Sequence, residues 1–224
     1  MTHSSRPTAT VEDYLKALYT LEQRREGKVR TKDMAEWMDV SLPSVTTMMK
    51  SLAEQDFVER AAYRGVQLTE NGTLAALKVI RKHRLVEAFL TEVLGYTWDE
   101  VHAEAERLEH AMSDLLTDRI DQYLGYPRFD PHGDPIPSAD GTIERHPTHD
   151  LLDIPCGQTV TIHRVMDQSS DVLQYLAEQG LQPGVTLTVQ KVDPFDGPVW
   201  LDVDGKEVVL SRTLAHRIRV EQHT

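Results

Sequence analysis

Residues 31–68 read TKDMAEWMDVSLPSVTTMMKSLAEQDFVERAAYRGVQL, and this stretch decides the fold of the first third of the chain. It predicts a short helix that runs from Thr31, as its N-cap, to Met38, and a second helix that Ser41 caps. Pro43 falls in the first turn of the second helix, where a missing backbone N–H costs nothing. The two helices and the tight turn between them predict a helix-turn-helix.

A β-hairpin is predicted directly after these helices. Two short extended stretches, 57–61 and 66–68, are joined by a turn in which Gly65 supplies backbone freedom. A further helix is predicted earlier in the chain, from Thr10 to about Arg24, because apolar residues recur there at helical spacing. Helix, turn, helix and hairpin in this order predict a winged helix-turn-helix.

Beyond the hairpin the pattern becomes that of longer helices, which we predict at 70–93 and 98–124. Residues 126–150 then contain five prolines and little apolar periodicity. Such composition is typical of a connection rather than of a helix or strand. We therefore predict a linker there.

The last third of the chain changes to short alternating strands. One helix, at 171–179, interrupts them, and Asp204–Gly205 between two alternating runs is a strong hairpin signal. Five strands with one helix favour a small barrel of the SH3-like kind, so the predicted fold class is mainly α with a C-terminal β domain. The predicted strands are 159–165, 186–192, 199–203, 206–210 and 217–220.

Length and composition limit the class of protein. The chain has 224 residues, 40% of them hydrophobic and 27% charged, which is enough for two globular domains or one large one. No apolar run approaches the ~18 residues of a membrane span, and the first residues lack the apolar core of a signal peptide. A single cysteine, Cys156, fits a reducing compartment. We therefore expect a cytoplasmic protein with no membrane partner.

Charge is distributed unevenly along the chain. The formal net charge of −12 argues against indiscriminate nucleic-acid binding. Residues 24–64, however, carry eight Lys and Arg against seven Asp and Glu, so the remainder holds a balance of −13. Double-stranded DNA would therefore meet the first third, although a winged helix used for protein contact is the alternative. The residues that we expect at the DNA are Thr31, Ser41, Pro43, Ser44, Thr46, Thr47, Lys50 and, at the wing tip, Arg64.

The stretch VHAEAERLEH, at 101–110, has an unusual composition for a helix surface. His102, Glu106, Glu109 and His110 share one stripe beside an apolar stripe, with no lysine between them. Adjacent carboxylates beside a core would repel each other and raise each other's pKa. A divalent cation would remove that conflict, so the stripe indicates a metal site.

Two other predicted helices carry residues of the same kind. His83 and Glu87 share one face at i and i+4, and Asp13 falls on the first turn of the N-terminal helix. Taken singly, Asp13 could be a capping residue, His83 a core histidine and Glu87 a solvated charge. With the stripe they form a set of carboxylates and imidazoles that suits divalent metals such as Mn²⁺ and Fe²⁺. The seven other histidines, His132 among them, are expected to have no metal role, and most of them to lie at the surface.

At this point the chain resembles the diphtheria toxin repressor (DtxR) family of iron- and manganese-dependent repressors. The resemblance runs from about Thr10 to the C-terminus. The segments that carry it are EDYLKALY, SLPSVTTMMKSL, RKHRLVEAFL, VHAEAERLEHAMSD, PHGDPIP and the C-terminal strands. Their combination is highly specific.

The resemblance implies a homodimer built from three folded parts. These are a winged helix-turn-helix DNA-binding domain at 1–73, a helical dimerisation and metal-binding domain at 74–126 and, after a Pro/Gly-rich linker at 127–150, an SH3-like (FeoA-like) domain at 151–224. It also implies a transcriptional repressor of metal homeostasis that is not an enzyme. Metal binding would fix the dimer in a DNA-binding conformation, and the dimer would then occlude a promoter.

Members of the family have two neighbouring metal positions. The first corresponds here to Asp13, Glu106, Glu109 and His110. The second corresponds to His83, Glu87 and His102, sometimes completed from the SH3-like domain, which here would fall near Asp167.

The resemblance also bears on which metal is bound. Iron-responsive members place a cysteine at the position of Glu106 and a methionine at that of Asp13, whereas both are carboxylates here, as in manganese-responsive relatives. The short manganese regulators have a glutamate at the position of Lys16 and lack the SH3-like domain, so the long manganese type matches best. We therefore predict Mn²⁺ as the cofactor, with Fe²⁺ as the alternative. Zn²⁺, Co²⁺ or Cd²⁺ can substitute in vitro, because oxygen ligands do not reverse the intrinsic order of metal affinities.

Two other functions are weighed against this one. A winged-helix regulator could carry a structural metal site and respond to a different signal. A helical-bundle di-metal enzyme would need Glu-x-x-His pairs on two helices, with a glutamate three positions before each histidine. Three positions before His83, His102 and His110 the sequence instead has Ile80, Asp99 and Arg107. The sequence also lacks HExxH and a Gly-rich phosphate loop, so the enzyme ranks well below either regulator.

Overall fold

The structure is a computed structural model that describes residues 7–25, 27–61, 65–144 and 146–222. Its helices are α1 (Ala9–Arg25), α2 (Thr31–Met38), α3 (Leu42–Glu54), α4 (Glu70–Leu94), α5 (Val101–Leu108), α6 (Asp114–Tyr123), α7 (Ser170–Glu178) and α8 (Arg212–Ala215). Its strands are β1 (Val58–Ala61), β2 (Gly65–Leu68), β3 (His149–Asp150), β4 (Thr159–Val165), β5 (Thr186–Val192), β6 (Val199–Val203), β7 (Lys206–Leu210) and β8 (Ile218–Gln222). The chain divides into two compact units. None of the described helices is long and apolar enough to cross a membrane.

The first unit comprises the residues up to His83 together with 109–112 and 137–142. It contains the predicted helix-turn-helix. Ser41 caps α3 as expected, since its hydroxyl accepts the Ser44 N–H at 3.3 Å. The N-cap of α2 is Arg30 rather than Thr31, because the Asp33 carboxylate reaches back to the Arg30 N–H at 3.3 Å.

The wing is an antiparallel pair, β1 with β2, in which Val58 lies opposite Leu68. On its other side β2 meets Val29, which exchanges two backbone hydrogen bonds with Val66, at 2.8 and 2.9 Å. Gly65 begins β2 at φ +92°, and a Cβ there would lie 2.7 Å from the Val29 carbonyl oxygen. Only glycine therefore suits this corner of the wing.

One apolar core holds the first unit together. The α1 residues Leu15 and Leu18 are fully buried against residues of α2, α3 and the wing. The other members with no exposed surface are Val29, Met34, Val45, Met49, Leu52 and Ala76. Their spacing is that of amphipathic helices packed on a hairpin, as predicted.

The second unit comprises 84–108, 113–136 and the chain from 143 onward. The single helix predicted over 98–124 is wrong, because the chain leaves the helix after Leu108 and restarts at Asp114. Ser113 causes the restart: its hydroxyl accepts the Leu116 N–H at 3.2 Å and caps α6.

The β domain is a six-stranded antiparallel sheet in the order β3-β8-β4-β5-β6-β7. The five predicted strands are all present, and the two-residue β3 is added at one edge, paired with β8. Trp98 belongs to the buried core of this domain, alongside Leu151 and Ile162. This arrangement confirms the predicted fold class, mainly α with a C-terminal β domain.

Part of the Pro-rich segment predicted as a linker packs tightly in the second unit. The Val165 N–H of β4 donates to the His132 carbonyl at 3.0 Å. Gly133, at φ +85°, lies so close to β4 that a Cβ would sit 1.9 Å from the His163 carbonyl oxygen. His132 itself is fully buried, unlike the surface position expected for most of the seven histidines.

Candidate metal centres

The first turns of α1 place two carboxylates side by side. The Thr8 carbonyl accepts the Glu12 N–H at 2.9 Å and starts the helix. Because Leu15 and Leu18 fix the apolar face of α1 in the core, Glu12 is buried and Asp13 is half-buried. Both carboxylates are therefore held beside the core.

Glu109 and His110 lie in the turn between α5 and α6 and belong to the first unit. Glu109 is fully buried. Nε2 of His110 lies 2.9 Å from Oδ1 of Asp13 and 3.4 Å from Oε1 of Glu109. Asp13, Glu109 and His110 offer ligand atoms that all lie within 4.8 Å of one another, and we call them the first cluster.

The His110 ring is oriented by a carboxylate outside the cluster. Its Nδ1 lies 2.6 Å from Oε2 of Glu12. A proton on Nδ1 donated to Glu12 leaves the lone pair on Nε2, which points to Asp13 and Glu109. Carboxylate–imidazole pairs of this kind are the usual support of a metal-ligating histidine.

Besides His110, Glu109 has two cationic or potentially cationic neighbours. Lys16 Nζ lies 2.7 Å from its Oε1, and His83 Nδ1 lies 2.5 Å from its Oε2. Burial would raise the pKa of Glu109, but the hydrogen bond and charge of His83, together with Lys16, outweigh burial and lower that pKa. Glu109 is therefore ionised, contrary to the upward shift expected for a carboxylate crowded beside a core.

Asp13 behaves in the opposite way. Burial raises its pKa, although His110 and Lys16 act against the increase. A dication near Asp13 would favour the ionised form and remove the cost of burying it. The first cluster thus combines one stabilised carboxylate with one that lacks full charge compensation.

The second unit holds a cluster of its own, formed by Glu87, Asp130 and His132. All three side chains are buried, and they too offer ligand atoms within 4.8 Å of one another. Asp130 is held by its backbone surroundings, since Oδ1 accepts the N–H groups of His132 and Asp134, each at 2.9 Å. We call these three residues the second cluster.

The second cluster leaves polar atoms without hydrogen bonds. Nε2 of His132 lies 2.7 Å from the Trp98 carbonyl, to which it donates its proton, so Nδ1 is the ring nitrogen left for the cluster. That Nδ1 lies 3.5 Å from Oε2 of Glu87, and Oδ2 of Asp130 lies 3.5 Å from Nε of Arg84, an ion-pair distance; neither atom makes a hydrogen bond within the described residues. These atoms converge in a buried space, where a bound cation would replace the proton on Nδ1 and take its lone pair.

The electrostatics of the second cluster agree with this geometry. Burial, with the charges of Asp134 and Glu87, raises the pKa of Asp130 to about 7. Burial opposes protonation of His132, but Glu87 and Asp130 outweigh it and raise the pKa of His132 to about 9. Both raised pKa values show that the cluster favours added positive charge, which either protons or a bound cation would supply.

The remaining predicted ligands are placed as follows. In the second unit, Nδ1 of His102 lies 3.1 Å from Oε1 of Glu87, and its Nε2 lies 3.7 Å from Oε1 of Glu106. Asp167 accepts the N–H and hydroxyl of Ser169, at 3.1 and 2.7 Å, just before α7. His83 belongs to the first unit, where Glu109 is its partner.

Sequence reasoning missed Glu12, Asp130 and His132. Glu12 is adjacent to Asp13 and is distinguished from it only by facing Nδ1 of His110, whereas Asp13 faces Nε2. The signal for the other two was local: an aspartate two residues before a histidine in the Pro/Gly-rich DPHGD, where Asp130 can accept successive backbone N–H groups.

The side chains predicted to meet DNA lie mainly on one exposed side of α3. Their hydroxyls are engaged locally: Thr46 and Thr47 donate to the carbonyls of Leu42 and Pro43, at 2.9 and 3.0 Å. Lys50 is exposed and faces Glu54 at 4.0 Å. Those with exposed side chains are Ser41, Pro43, Ser44, Thr46, Thr47 and Lys50, while Thr31 is half-buried. Arg64 lies outside the described residues.

The fold and the two clusters define a class: a winged-helix DNA-binding protein with carboxylate–imidazole clusters that could hold a metal ion. Three sequence profiles match the chain. They are described as the N-terminal DNA-binding domain of iron-dependent repressors, over residues 7–66, their metal-binding and dimerisation domain, over 69–138, and the FeoA domain, over 149–222.

Known proteins match over almost the whole chain. It is 33% identical to the iron-dependent repressor IdeR of Mycobacterium tuberculosis, covering 95% of this chain and 97% of that protein. The diphtheria toxin repressor of Corynebacterium diphtheriae is 31% identical, with the same two coverages of 95% and 97%. The chain therefore belongs to the diphtheria toxin repressor (DtxR) family.

Solved structures agree with this assignment. A manganese-dependent transcriptional repressor in complex with manganese matches with a TM-score of 0.88 and 42% identity, covering 95% of this chain and all of that one. ScaR with bound Cd²⁺ matches with a TM-score of 0.82 and 38% identity, covering 95% and 99%. The protein is a metal-dependent transcriptional repressor, and the enzyme alternative is set aside.

Proposed function

We propose that this repressor responds to Mn²⁺ and that the first cluster is its sensing site. The observation that carries the proposal is the donor set of Asp13, Glu109 and His110, which consists of carboxylate oxygens and imidazole nitrogen around a buried Glu109. Mn²⁺ is suited to such ligands, whereas sulfur would favour softer metals. The manganese-dependent repressor of known structure, at 42% identity, supports the same metal.

When bound, a divalent cation supplies the positive charge that Asp13 lacks. Asp13 lies on α1, and Glu109 and His110 lie on a separate segment of the first unit. Held at one cation, these residues would keep α1 in one position, and α1 packs directly against the helix-turn-helix. Metal then shifts a conformational equilibrium by binding one state more tightly than the other.

We further propose that the protein acts as a homodimer on double-stranded operator DNA. The two α3 helices of a dimer can enter successive major grooves only if they are held about 34 Å apart. Limiting the motion of α1 narrows the range of separations that the dimer samples. The predicted ligand roles of Glu106, His83, His102 and Asp167 stay predictions.

The second cluster is proposed as a second cation site. Asp130 and His132 each present a buried atom that makes no hydrogen bond within the described residues, and Glu87 lies beside both. Glu87 belongs to α4, whereas Asp130 and His132 belong to the Pro/Gly-rich segment. A cation held there would fasten that segment to α4 within the second unit.

The test of the sensing site is operator binding measured by fluorescence anisotropy. Chelator-treated protein is titrated onto DNA from upstream of its own gene, with Mn²⁺, anaerobic Fe²⁺ or Zn²⁺, at fixed salt because phosphate contacts make affinity steeply salt-dependent. We expect Mn²⁺ to raise the affinity about tenfold or more. Asp13→Ala should remove that effect, and the control Asp171→Ala, which alters an exposed carboxylate of α7, should keep it.

Equal binding with and without metal would overturn the proposal. It would leave a winged-helix regulator with a structural metal site and a different signal. The second cluster is tested separately by counting Mn²⁺ per chain in calorimetric titrations. We expect Asp130→Asn to lose one site and Asp13→Ala to lose a different one, and an unchanged count in Asp130→Asn would refute the second site.

A further inference from the structure

One backbone hydrogen bond of the wing is made by a side chain of α1. On the side of β2 away from β1, Val66 is paired with the backbone of Val29. Residues alternate along a strand, so the Leu68 N–H points to that same side, two residues further on. There Oε1 of Glu22 accepts the Leu68 N–H, at 2.7 Å. The carboxylate continues the pairing that the Val29 backbone begins.

Glu22 is suited to hold this bond. It lies near the end of α1, and α1 is anchored in the core by Leu18 and Leu21. Burial raises the pKa of Glu22, while the bond from the Leu68 N–H acts against that increase. A half-buried carboxylate with a backbone N–H as partner is a directed contact, not a solvated surface charge.

The same helix carries a residue of the first cluster. Asp13 and Glu22 are nine residues apart on α1, which corresponds to about 13 Å along the helix axis. The helix is continuous between them. A continuous helix therefore connects the first cluster to the Glu22–Leu68 hydrogen bond.

We propose that Glu22 is a positioning residue for DNA binding, which ties the wing to α1 so that the wing takes up its DNA-binding orientation together with the metal-held helix. The inference rests on the proposed function in one respect, that metal acts through α1. The wing residue through which Glu22 would act is Arg64, the basic residue expected at the wing tip.

If Glu22 acted only through its charge, its removal would change operator affinity in the opposite direction from the one that a positioning role predicts. A carboxylate near DNA repels phosphate, so its removal would strengthen binding if charge alone mattered. Loss of the hydrogen bond would instead free β2 and weaken binding. Glu59→Gln is the matched control, because Glu59 is an exposed carboxylate of β1 in the same wing.

The experiment compares operator affinity at saturating Mn²⁺ for Glu22→Ala, Glu22→Gln and Glu59→Gln. We expect Glu22→Ala to bind on the order of tenfold more weakly, the size of losing one hydrogen bond to a charged acceptor. Glu22→Gln keeps a carbonyl acceptor and should stay within about threefold of the wild type. Glu59→Gln should bind as well as the wild type or better. Exchange of the Leu68 amide should accelerate in Glu22→Ala alone.

A double-mutant cycle that combines Glu22→Ala with Arg64→Ala separates a positioning role of Glu22 from a general loss of protein stability. If Glu22 acts through the wing, the double variant should bind no more weakly than Arg64→Ala. Fully additive losses, equal or stronger binding by Glu22→Ala, or a failure of Glu22→Gln to rescue would each overturn the proposal. If the operator affinity of the wild type did not depend on metal, the proposed function would be refuted instead. The operator affinities of the same variants, compared without metal, would still test the role of Glu22 in positioning the wing.

Discussion

Oε2 of Glu12 lies 2.6 Å from Nδ1 of His110, and the opposite ring nitrogen faces the first cluster. Glu12 is therefore a support of the cluster rather than a member of it. Removing its charge should let the ring turn and weaken its Nε2 as a ligand. We predict that Glu12→Gln lowers Mn²⁺ affinity about 10- to 100-fold, measured by isothermal titration calorimetry. Glu36→Gln, on the exposed side of α2, is the control, and an equal affinity for Mn²⁺ in all three proteins would contradict the prediction.

Lys16 places a positive charge beside the site where a dication would bind. Its Nζ lies 2.7 Å from Glu109. In Lys16→Gln the buried Glu109 loses a partner, so the metal-free protein should lose about 1–3 kcal/mol of unfolding free energy. Mn²⁺ affinity should rise about fivefold to tenfold, because the competing cation is gone.

Thermal denaturation with and without Mn²⁺ measures both effects of Lys16→Gln. The shift caused by metal should be larger than in the wild type. Lys32→Gln, which removes an exposed lysine of α2, should change neither quantity. A weaker response of Lys16→Gln to Mn²⁺ would show that Lys16 helps to build the site.

The second cluster predicts how the stability of the metal-free protein depends on pH. The folded pKa of Asp130, about 7, exceeds its ordinary value of 3.8, so its contribution to stability falls as pH rises through that range. The folded pKa of His132 is raised from 6.5 to about 9, so its contribution is present below pH 6.5 and lost as pH rises through 9.

Chemical denaturation of the metal-free protein should therefore show a falling free energy of unfolding between pH 6.5 and pH 9. Asp130→Asn keeps the Oδ1 acceptor but removes a charge that raises the pKa of His132, so its decline should be shallower. Asp171→Asn should follow the wild type, as an exposed carboxylate far along the chain. A wild-type curve that is flat or rises over this range would contradict the prediction.

Helix α6 exposes a set of large apolar side chains. In the single chain Leu115 is 68% exposed and Tyr123 is 70% exposed. The profile that matches this region describes a metal-binding and dimerisation domain. An exposed apolar stripe on such a helix fits a subunit interface. We predict that Leu115→Asp shifts the dimer to monomer in analytical ultracentrifugation and lowers operator affinity. Val209→Asp, an equivalent change on β7, should leave the dimer intact, and a dimeric Leu115→Asp would exclude this face.

Local sequence patterns determined the helices, the strands and the division between α and β parts. Capping by Ser41, the alternation of the C-terminal strands and the Asp204–Gly205 turn depend on residues close together in the chain, and all three are present in the structure. The break after Leu108 was missed because continued helical periodicity masks a cap at Ser113. The residue types of the first cluster could also be predicted, because carboxylates and imidazoles supply the oxygen and nitrogen donors that divalent metals bind.

Tertiary structure alone decided which of those residues share a cluster. Glu12 and Asp13 are neighbours in sequence, and both contact His110; only the ring nitrogen that each one faces, Nδ1 or Nε2, distinguishes the supporting carboxylate from the candidate ligand. Likewise, His132 has no sequence feature that marks it as buried; its position follows from the packing of the DPHGD segment on β4. Secondary structure depends on interactions within a few residues, whereas partners, burial and pKa depend on chain segments that meet only when the core forms.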